Sequence, residues 1–569
     1  MSNLPRAEHP KPQMERSTWC NLNGSWQFEI DHGNSGIDRK LFQDDVTLNG
    51  SITVPFCPES KLSGVQYVDF MSCVWYKRTV QITEEQKNSR IVLHIGACDY
   101  KTTVYVNGKE VGSHKGGYIS FSFDISAYVK AGENILTICA QDNTRDRMIP
   151  GGKQCPNYYS GGCSYTRTTG IWQTVWLEFM PADAYIEKVK YYPNPNAGTL
   201  TVHAQLKGAA QLRLAAFWEG KKVGETSLCS QGGNEVVSLK LDELHLWEVG
   251  KGGLYDLELT YGKDTVKSYF GMRSLRLDGM KFRINEKSVF QRLVLDQGFY
   301  PDGIYTAPTD EELRKDVERS MAVGFNGARL HEKIFEERFL YHCDQLGYIV
   351  WGEFPNWGLD ISYADSIYGI LPEWIEELER DFNHPAIVGW CPFNETWDEN
   401  GRKQYDDVLR MVYRTTKAID PTRPCIDTSG NFHVETDIFD VHDYDQNPET
   451  FTARYNRLMT EGVLEDRFSN RQKYTGGPTF VSEYGGIRWS DDVNGWGYGN
   501  APQTEEEFMT RLEGLTDALL NNDQMFGYCY TQLTDIEQEQ NGVYYYDRTP
   551  KFDTAKLKAI FGKKAAIED

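Results

Sequence analysis

Hydrophobic and polar residues alternate with a period of two along the chain up to about residue 275. The alternating runs are short and are separated by turn residues, for example Asn23–Gly24 and Asn107–Gly108. Alternation of this kind predicts strands with one buried face, and Asn-Gly is a hairpin turn signal. We therefore expect an all-β sandwich over residues 1–182. A second sandwich over residues 183–273 has the length and strand rhythm of an immunoglobulin-like domain.

After residue 274 the pattern changes to alternating strands and helices. Thr309 and Glu312 form a capping box before a four-residue apolar repeat, and Thr504 and Glu507 form another. Pro372 lies where we expect the first residue of a further helix. Eight short apolar runs lie between the predicted helices, which is the number expected of a TIM barrel over residues 274–569. These runs are 290–296, 325–329, 348–352, 387–393, 424–428, 438–442, 479–482 and 527–532.

Polar side chains follow almost every predicted barrel strand. Active sites of TIM barrels lie at the carboxyl ends of the strands, so these side chains are the candidate functional residues. Each carboxylate could instead cap the next helix, and Glu353 could simply pair with Arg329 or Lys333. The strand ends carry Asp296, Gln297, Arg329, His331, Glu332, Lys333, Glu353, Asn394, Glu395, Asp427, His442, Tyr444, Glu483, Gln532 and Asp535.

Composition excludes several classes of function. The formal net charge of −22 repels phosphate backbones, so nucleic acid is an unexpected partner. No run of about 18 apolar residues predicts a membrane span, and the polar N-terminus lacks a secretory signal, which favours a cytoplasmic protein. The twelve cysteines are expected to be thiols. Cys155 and Cys163 are the one close pair that could form a bridge.

Two carboxylates facing each other across a barrel mouth suit glycoside hydrolysis. One protonates the leaving oxygen and needs a raised pKa, which burial among Trp390, Phe393 and Trp397 would supply. The other attacks the anomeric carbon and must stay ionised, which a nearby arginine such as Arg329 would favour. This chemistry requires neither a metal nor a cofactor, and no HxH or HExxH spacing indicates a metal site.

Several segments of the chain resemble glycoside hydrolase family 2, which contains β-galactosidases, β-glucuronidases and β-mannosidases. NGKEVGSHKGGYISFSFDIS (107–126) and TRTTGIWQTVWLE (166–178) resemble the family's sugar-binding jelly roll. GFNGARLHEK (324–333), RDFNHPAIVGWCPFNETWD (380–398) and PTFVSEYGG (478–486) resemble its barrel motifs. The resemblance covers nearly the whole chain and implies a jelly roll, an immunoglobulin-like sandwich and a catalytic TIM barrel.

The resemblance also implies the roles of individual residues. Glu395 would be the general acid/base, Glu483 the nucleophile, and Asn394 the ligand of the sugar's 2-hydroxyl. A tyrosine at the strand-six position, here Tyr444, could bond Glu483. Further candidate substrate ligands follow from their places at the strand ends. They are Arg329, His331, Glu332, Asp296, His442, Trp489 and Gln532.

The chain departs from the family's β-glucuronidases in one respect. Those enzymes hold the uronate carboxylate with an Asn-x-Lys triplet after strand eight, and residues 532–560 contain none. Lys333 or Arg488 could hold a carboxylate instead. The tryptophan that many relatives place on strand eight is also missing, which leaves Trp357, Trp489 or Trp496 as the sugar platform.

The sequence therefore predicts a retaining exo-β-glycosidase that releases a terminal sugar, and we expect β-galactosidase-like activity first. Uronide (glucuronide or galacturonide), mannoside and arabinoside preferences remain alternatives. A carbohydrate-binding protein without catalysis is a further alternative, which would require a barrel that has lost its chemistry. The expected partner is a glycoside, and assembly into a homo-oligomer is compatible with the β-rich domains.

Overall fold

The computed structural model describes residues 4–396, 402–430, 432–465 and 472–569, and it confirms the predicted fold class. The N-terminal sandwich consists of sheets ordered β3-β2-β4-β10-β7-β8, β1-β12-β5-β9 and β11-β6. Its apolar faces pack around Trp26, Tyr76 and Ile138. Its elements are a 3-10 helix (Pro12–Met14), β1 (Trp19–Asn21), β2 (Gly24–Ile30), β3 (Gly50–Val54), β4 (Cys73–Ile82), α1 (Glu84–Lys87), β5 (Arg90–Ile95), β6 (Cys98–Asp99), β7 (Lys101–Val106), β8 (Lys109–Lys115), β9 (Phe121–Asp124), β10 (Gly132–Gln141), β11 (Gly170–Ile171) and β12 (Val175–Met180).

The central sandwich packs a sheet ordered β13-β14-β17 against one ordered β16-β15-β18-β19. Seven strands form this sandwich, including the edge strand β16. β16 lies at a sheet edge, and its residues are mostly polar and exposed. Its sequence therefore lacks the clear alternation of hydrophobic and polar residues that predicts a strand. The strands are β13 (Tyr185–Asn194), β14 (Thr199–Lys207), β15 (Ala210–Trp218), β16 (Lys221–Ser230), β17 (Gly233–Lys240), β18 (Leu254–Tyr261) and β19 (Asp264–Gly271).

A small sheet of β20 (Leu275–Asp278), β21 (Lys281–Ile284) and β22 (Lys287–Ser288) leads into the barrel. The barrel sheet is parallel and is ordered β26-β25-β24-β23-β29-β28-β27. Its strands are β23 (Gln291–Asp296), β24 (Gly327–Leu330), β25 (Ile349–Glu353), β26 (Ile387–Cys391), β27 (Phe439–Asp443), β28 (Thr479–Gly485) and β29 (Gly527–Thr531). Its helices are α2 (Asp310–Ala322), α3 (Glu337–Leu346), a 3-10 turn (Ala364–Ser366), α4 (Ile367–Asp381), α5 (Asp406–Ile419), α6 (Pro448–Glu461), α7 (Glu505–Leu520) and α8 (Thr554–Phe561).

The predicted fifth strand, residues 424–428, is not a regular strand. This segment makes only the isolated parallel bridges Trp390↔Cys425 and Asn394↔Ser429 with the neighbouring fourth segment. On its other side, the Asp437 carboxylate accepts the backbone N–H of Cys425 at 2.8 Å. The Asp437 side chain thus accepts the backbone N–H that would otherwise pair with β27. The barrel therefore closes without a continuous eighth strand.

The helix signals were right at two positions and wrong at a third. Thr309 and Thr504 cap α2 and α7, accepting from the backbone N–H groups of Glu312 and Glu507. Pro372 does not begin its helix, because α4 starts at Ile367, after a 3-10 turn. The proline therefore lies inside the helix and removes one backbone hydrogen bond there.

The structure also bears on the cysteines and on membrane association. Cys155 and Cys163 are both free thiols, as predicted. Among the described residues, no helix has the length and apolar character needed to cross a bilayer.

Candidate active site

A buried arginine connects three strands at the carboxyl end of the barrel. Arg329 on β24 donates to the Glu353 carboxylate, to Oδ1 of Asn394 at 3.1 Å, and to Oε1 of Glu483 at 3.1 Å. It also donates to the carbonyl of Ser482 at 2.7 Å. Its planar fork therefore fixes residues on β25, after β26 and on β28 at once. This settles the pairing left open for Glu353, which is with Arg329 rather than Lys333.

Glu483 lies on β28 between this arginine and a tyrosine. The Tyr444 hydroxyl, which follows β27, donates to Oε2 of Glu483 at 2.6 Å and also contacts Thr531. Burial and the neighbouring Glu483 raise the pKa of Tyr444 well above its ordinary value, so the hydroxyl remains a donor. Two donors thus hold the Glu483 carboxylate in a single orientation.

Glu395 follows β26, and His442 bridges it to Glu483. Nδ1 of His442 lies 2.7 Å from Oε1 of Glu395 and 3.2 Å from Oε2 of Glu483. One oxygen of each carboxylate lies within 4.8 Å of the other. The backbone of Glu395 has a φ of +43°, a left-handed conformation that is uncommon for this residue type and is more frequent at functional sites.

The protonation pattern differs from the one predicted. The pKa of Glu395 lies below its ordinary value. Burial acts to raise it, but this effect is outweighed by the hydrogen bond and charge of His442 and by the charges of Lys153 and Arg329. The pKa of His442 is raised: burial lowers it, but Glu483 and Glu395 outweigh burial. The expectation that aromatic burial would raise the pKa of Glu395 was therefore wrong. Trp390 packs away from the site and donates to Asp420.

His442 is held by the segment that replaces strand five. Its Nε2 lies 3.0 Å from the Ser429 hydroxyl, which in turn donates to Asp440 at 2.6 Å. Gly430 has a φ of +77°, and a Cβ there would lie 2.4 Å from the His442 ring. A side chain at this position would displace the imidazole from the two carboxylates.

Asn394 presents an unused donor next to Glu395. Its backbone N–H bonds Asn356 at 2.7 Å, and its Oδ1 accepts from Arg329. Its buried Nδ2 has no hydrogen-bond partner among the described residues. A buried amide with a free donor suits a sugar hydroxyl, as predicted for the 2-hydroxyl.

The N-terminal sandwich contributes one wall of the site through residues 151–166. The backbone N–H of Gly151 donates to the carbonyl of Trp357 at 2.7 Å, and Gly152 contacts the same turn after β25. Gly152 has a φ of +54°, and a Cβ there would lie 2.4 Å from the carbonyl oxygen of Glu332. Tyr165 reaches the segment after β29 and donates to Glu539. The loop is therefore docked tightly against the barrel.

Lys153 extends from this loop to the barrel mouth. Its Nζ lies 3.5 Å from the centre of the Trp357 ring, and Trp357 Nε1 donates to the carbonyl of Asn394 at 3.1 Å. Lys153 is only 4% exposed. Its charge lowers the pKa values of Glu332, Glu395 and Glu539.

Two predicted ligands, Glu332 and His331, lie in the same region. Glu332 accepts from the Trp357 backbone at 3.0 Å, and its Oε1 has no partner within the described part of the chain. Burial raises the pKa of Glu332 well above its ordinary value. His331 contacts Glu353 at 3.0 Å, and burial with the charge of Lys153 lowers its pKa, so it is a neutral imidazole.

Three other predicted ligands lie outside this cluster. Asp296 accepts from the backbone of Gly298 at 3.0 Å, which makes it part of its own turn. Trp489 packs against aromatic rings of α7 and the C-terminal segment, Phe508 and Phe552. Gln532 accepts from Gln297 at 2.5 Å and donates to Asn541, so it supports the wall around Glu539.

The two cations proposed as alternative carboxylate ligands are also occupied elsewhere. Lys333 donates to the carbonyls of Gly298 and Tyr305, and Arg488 donates to the carbonyl of Asp492. Trp496 donates to the carbonyl of Gly162 and so joins the docked loop to the barrel. Trp397 lies outside the described residues.

Glu395, His442 and Glu483 are also the one group in the described chain whose ligand atoms are close enough to hold a cation. The hydrogen bonds of His442 to both carboxylates already account for this proximity. Asp427 and Asp535 have structural roles, although neither caps the next helix: Asp427 accepts backbone N–H groups of Val434 and Glu435, and Asp535 binds Lys551.

Sequence reasoning missed Lys153, Glu539 and the stacking of Tyr444 on Tyr498, whose ring centres are 3.4 Å apart. Lys153 belongs to a loop of another domain, and no motif marks it. The density of Gly and Tyr in GGKQCPNYYSGGCSY was the available signal that this loop is specialised.

Comparison with protein families gives three matches that together span most of the chain. Residues 19–180 match the model of the sugar binding domain of glycosyl hydrolases family 2. Residues 184–273 match the model described as glycosyl hydrolases family 2. Residues 306–564 match the TIM barrel domain of the same family.

Individual relatives are similar over most of their length. The chain is 23% identical to a β-glucuronidase of Paenibacillus borealis over 97% of this chain and 98% of the relative. It is 26% identical to the β-glucuronidase of Mus musculus over 82% of this chain and 77% of the relative. Among solved structures, an uncultured Clostridium β-glucuronidase is 22% identical with a TM-score of 0.78, and coverage is 96% of this chain and 99% of that chain. A Lactobacillus rhamnosus β-glucuronidase is 19% identical with a TM-score of 0.79, and coverage is 98% and 99%.

Proposed function

The chain belongs to glycosyl hydrolase family 2 and is a glycoside hydrolase. From this premise, we propose that it is a retaining exo-β-glucuronidase. The relatives named above are β-glucuronidases, which supports the uronide alternative over the β-galactosidase-like activity expected first. The alternative of a non-catalytic binder has no support, because both carboxylates stand in hydrogen-bonded, oriented positions.

The distance between the two carboxylates carries the mechanistic part of the proposal. Oxygens of Glu395 and Glu483 lie within 4.8 Å of each other. Retaining enzymes place their carboxyl groups about 5–5.5 Å apart, whereas inverting enzymes leave about 6.5–9.5 Å for a water molecule. Oxygens within 4.8 Å of each other favour the retaining separation, and with it direct attack by a carboxylate.

The contacts of each carboxylate assign its role. Glu483, held by Arg329 and Tyr444, attacks the anomeric carbon while the bond to the glycosidic oxygen breaks. Glu395 gives its proton to that oxygen, and the aglycone leaves as an alcohol. Glu395 then takes a proton from water, and the resulting hydroxide displaces Glu483 from the anomeric carbon, which restores both carboxylates.

The docked N-terminal loop supports exo action. Residues 151–166 contact the turns after β25 and β29, through Trp357 and Glu539. A wall on this side of the mouth leaves room for a terminal sugar but blocks continuation of a polymer past it. The loop also brings a positive charge, Lys153, into an otherwise acidic site.

A panel of p-nitrophenyl glycosides tests the proposed specificity. We expect kcat/KM for the β-glucuronide to exceed that for the β-galactoside, β-glucoside, β-mannoside and α-L-arabinoside by about 100-fold or more, because a site built for a charged group rejects substrates that lack it. The missing Asn-x-Lys triplet favours β-galacturonide as a second candidate, so this epimer belongs in the panel. A highest kcat/KM for the β-galactoside would refute the proposal.

His442 is expected to set the alkaline limit of activity. Because its pKa is raised and that of Glu395 is lowered, the shared proton resides on the imidazole near neutral pH. It must cross the 2.7 Å hydrogen bond to Glu395 before the acid can act. Activity should fall as pH rises through the pKa of His442, which lies above its ordinary value of 6.5.

In the variant His442→Asn, the proton must be held by Glu395 alone. A carboxyl group loses its proton at lower pH than a stabilised imidazolium does, so the alkaline limb of the kcat/KM profile should shift to lower pH. Activity at pH 7 should fall by about 10- to 100-fold. His32→Asn, at an exposed position, is the matched control, and an alkaline limb unchanged in His442→Asn would exclude this proton store.

A further inference from the structure

Lys153 is a buried cation whose charge no contacting side chain neutralises. It is 4% exposed, and in the described part of the chain other groups act on its ammonium through charge and not through a hydrogen bond. Its one close contact is the face of Trp357, with the ring centre 3.5 Å from Nζ. An ammonium removed from water without a counter-ion costs several kcal/mol, so a fold retains one where a ligand will complete it.

The carboxylates around Lys153 do not take this role. Glu539 is bonded to Tyr165 and Asn541. Glu332 bonds the Trp357 backbone through Oε2, and burial raises the pKa of Glu332 well above its ordinary value, which weakens it as a counter-ion. The ammonium itself stays charged: burial lowers its pKa, but the surrounding Cys163, Glu332, Glu539 and Glu395 raise it by more.

Two other cations near the barrel mouth use their donors within the protein. Arg329 is committed to Glu353, Glu483 and Asn394. Lys333 binds two backbone carbonyls. Within the described residues, Arg488 leaves its Nε unpaired but binds the carbonyl of Asp492, in the segment after β28. Lys153 is the cation whose charge acts on Glu395 from the docked loop.

We propose that Lys153, supplied by the N-terminal sandwich, binds the C6 carboxylate of a hexuronic acid whose anomeric carbon faces Glu483. The assignment rests on the proposed uronidase function and deepens it by naming the residue that recognises the charge. Trp357 relates the two parts of the proposed site. Its ring contacts the Lys153 ammonium, and its Nε1 donates to the carbonyl of Asn394, the residue before Glu395. The carboxylate would lie at the ammonium, and the glycosidic bond at Glu395.

This arrangement explains why the loop is fixed so firmly. The backbone of Gly151 and Gly152 bonds the turn that carries Trp357, and the Tyr165 N–H donates to the carbonyl of Lys153 at 2.7 Å. An ammonium on a flexible loop would lose much of its binding free energy to ordering. The N-terminal sandwich therefore acts as a specificity element for the barrel.

The test compares two substrates that differ only at C6, p-nitrophenyl β-glucuronide and p-nitrophenyl β-glucoside. In Lys153→Met we expect kcat/KM for the glucuronide to fall by about 100-fold or more, because a buried charge pair is lost. The value for the glucoside should change by less than about threefold. Lys153→Arg, which keeps the charge, should recover a large part of the glucuronide activity, and Lys101→Met, on an exposed strand position, should behave as wild type.

Binding of the products gives a second measurement that does not depend on turnover. Inhibition by D-glucuronate should weaken in Lys153→Met by about the same factor, while inhibition by D-glucose should not change. Equal losses for both substrates, or an unchanged preference for the glucuronide, would overturn the role of Lys153 and leave the uronidase function standing. Wild-type protein that cleaves no uronide would overturn both. A thermal unfolding curve for each variant identifies a loss of activity caused by unfolding.

Discussion

Glu483→Gln is expected to lower kcat for the preferred glycoside by on the order of 10⁵-fold, with little change in the thermal unfolding midpoint. The amide has nearly the same shape as the carboxylate, so Tyr444 keeps an acceptor, but it cannot form a glycosyl ester. No second carboxylate is placed to substitute, since Glu395 is required on the leaving group and Glu353 is bound by Arg329. Steady-state kinetics of the purified full chain provide the measurement.

Covalent labelling separates loss of the nucleophile from general damage to the site. A 2-deoxy-2-fluoro glycosyl fluoride of the preferred sugar should leave one sugar on the wild-type protein, and peptide mass spectrometry should locate it on Glu483. Glu506→Gln, an exposed change of the same type in α7, should retain wild-type activity and labelling. Near-normal turnover by Glu483→Gln, or label on another carboxylate, would exclude the assignment.

The stereochemistry of the product tests the same step independently. Direct attack by Glu483 followed by attack of water inverts the anomeric carbon twice, so the sugar released first must be the β-anomer. Proton NMR recorded within the first minutes of reaction distinguishes it from the α-anomer. An initial α-anomer would show that water attacks directly, contrary to the 4.8 Å limit between the carboxylates.

The catalytic pair could be predicted from sequence because its positions follow from local pattern. Glu395 and Glu483 each stand at the end of a short apolar run, and the barrel topology brings such ends together. The role of His442 could not be predicted in this way. Its bridging contacts depend on small differences in the height of β26, β27 and β28, which the residue pattern does not encode.

The missed features have different physical causes. The segment 424–428 has the composition of a strand, but Asp437 and Thr436 take its backbone donors. Pro372 follows the expected rule for a first helical position, yet the turn before it already starts the helix. Lys153 became visible only through the docking of one domain on another, because its partner Trp357 is remote in sequence.

Glu395→Gln should produce the second largest loss, and its size should depend on the leaving group. For a glycoside with a poorly acidic alcohol, such as a methyl or sugar aglycone, we expect kcat/KM to fall by about 10³- to 10⁴-fold, the contribution of general acid catalysis. For a 2,4-dinitrophenyl glycoside, which leaves without a proton, the first step should remain within about tenfold of wild type. Measuring kcat/KM across phenols of increasing pKa gives this dependence as a slope.

The same variant should stop at the covalent intermediate, because Glu395 also activates the water that releases it. A rapid burst of dinitrophenol followed by slow turnover is therefore expected, and added azide should accelerate turnover by attacking without base catalysis to give a β-glycosyl azide. Glu483→Gln shows neither the burst nor this product, since it forms no intermediate. If the loss of kcat/KM in Glu395→Gln were equal for all leaving groups, the general acid would have to be another residue. Glu395 would then be a binding residue.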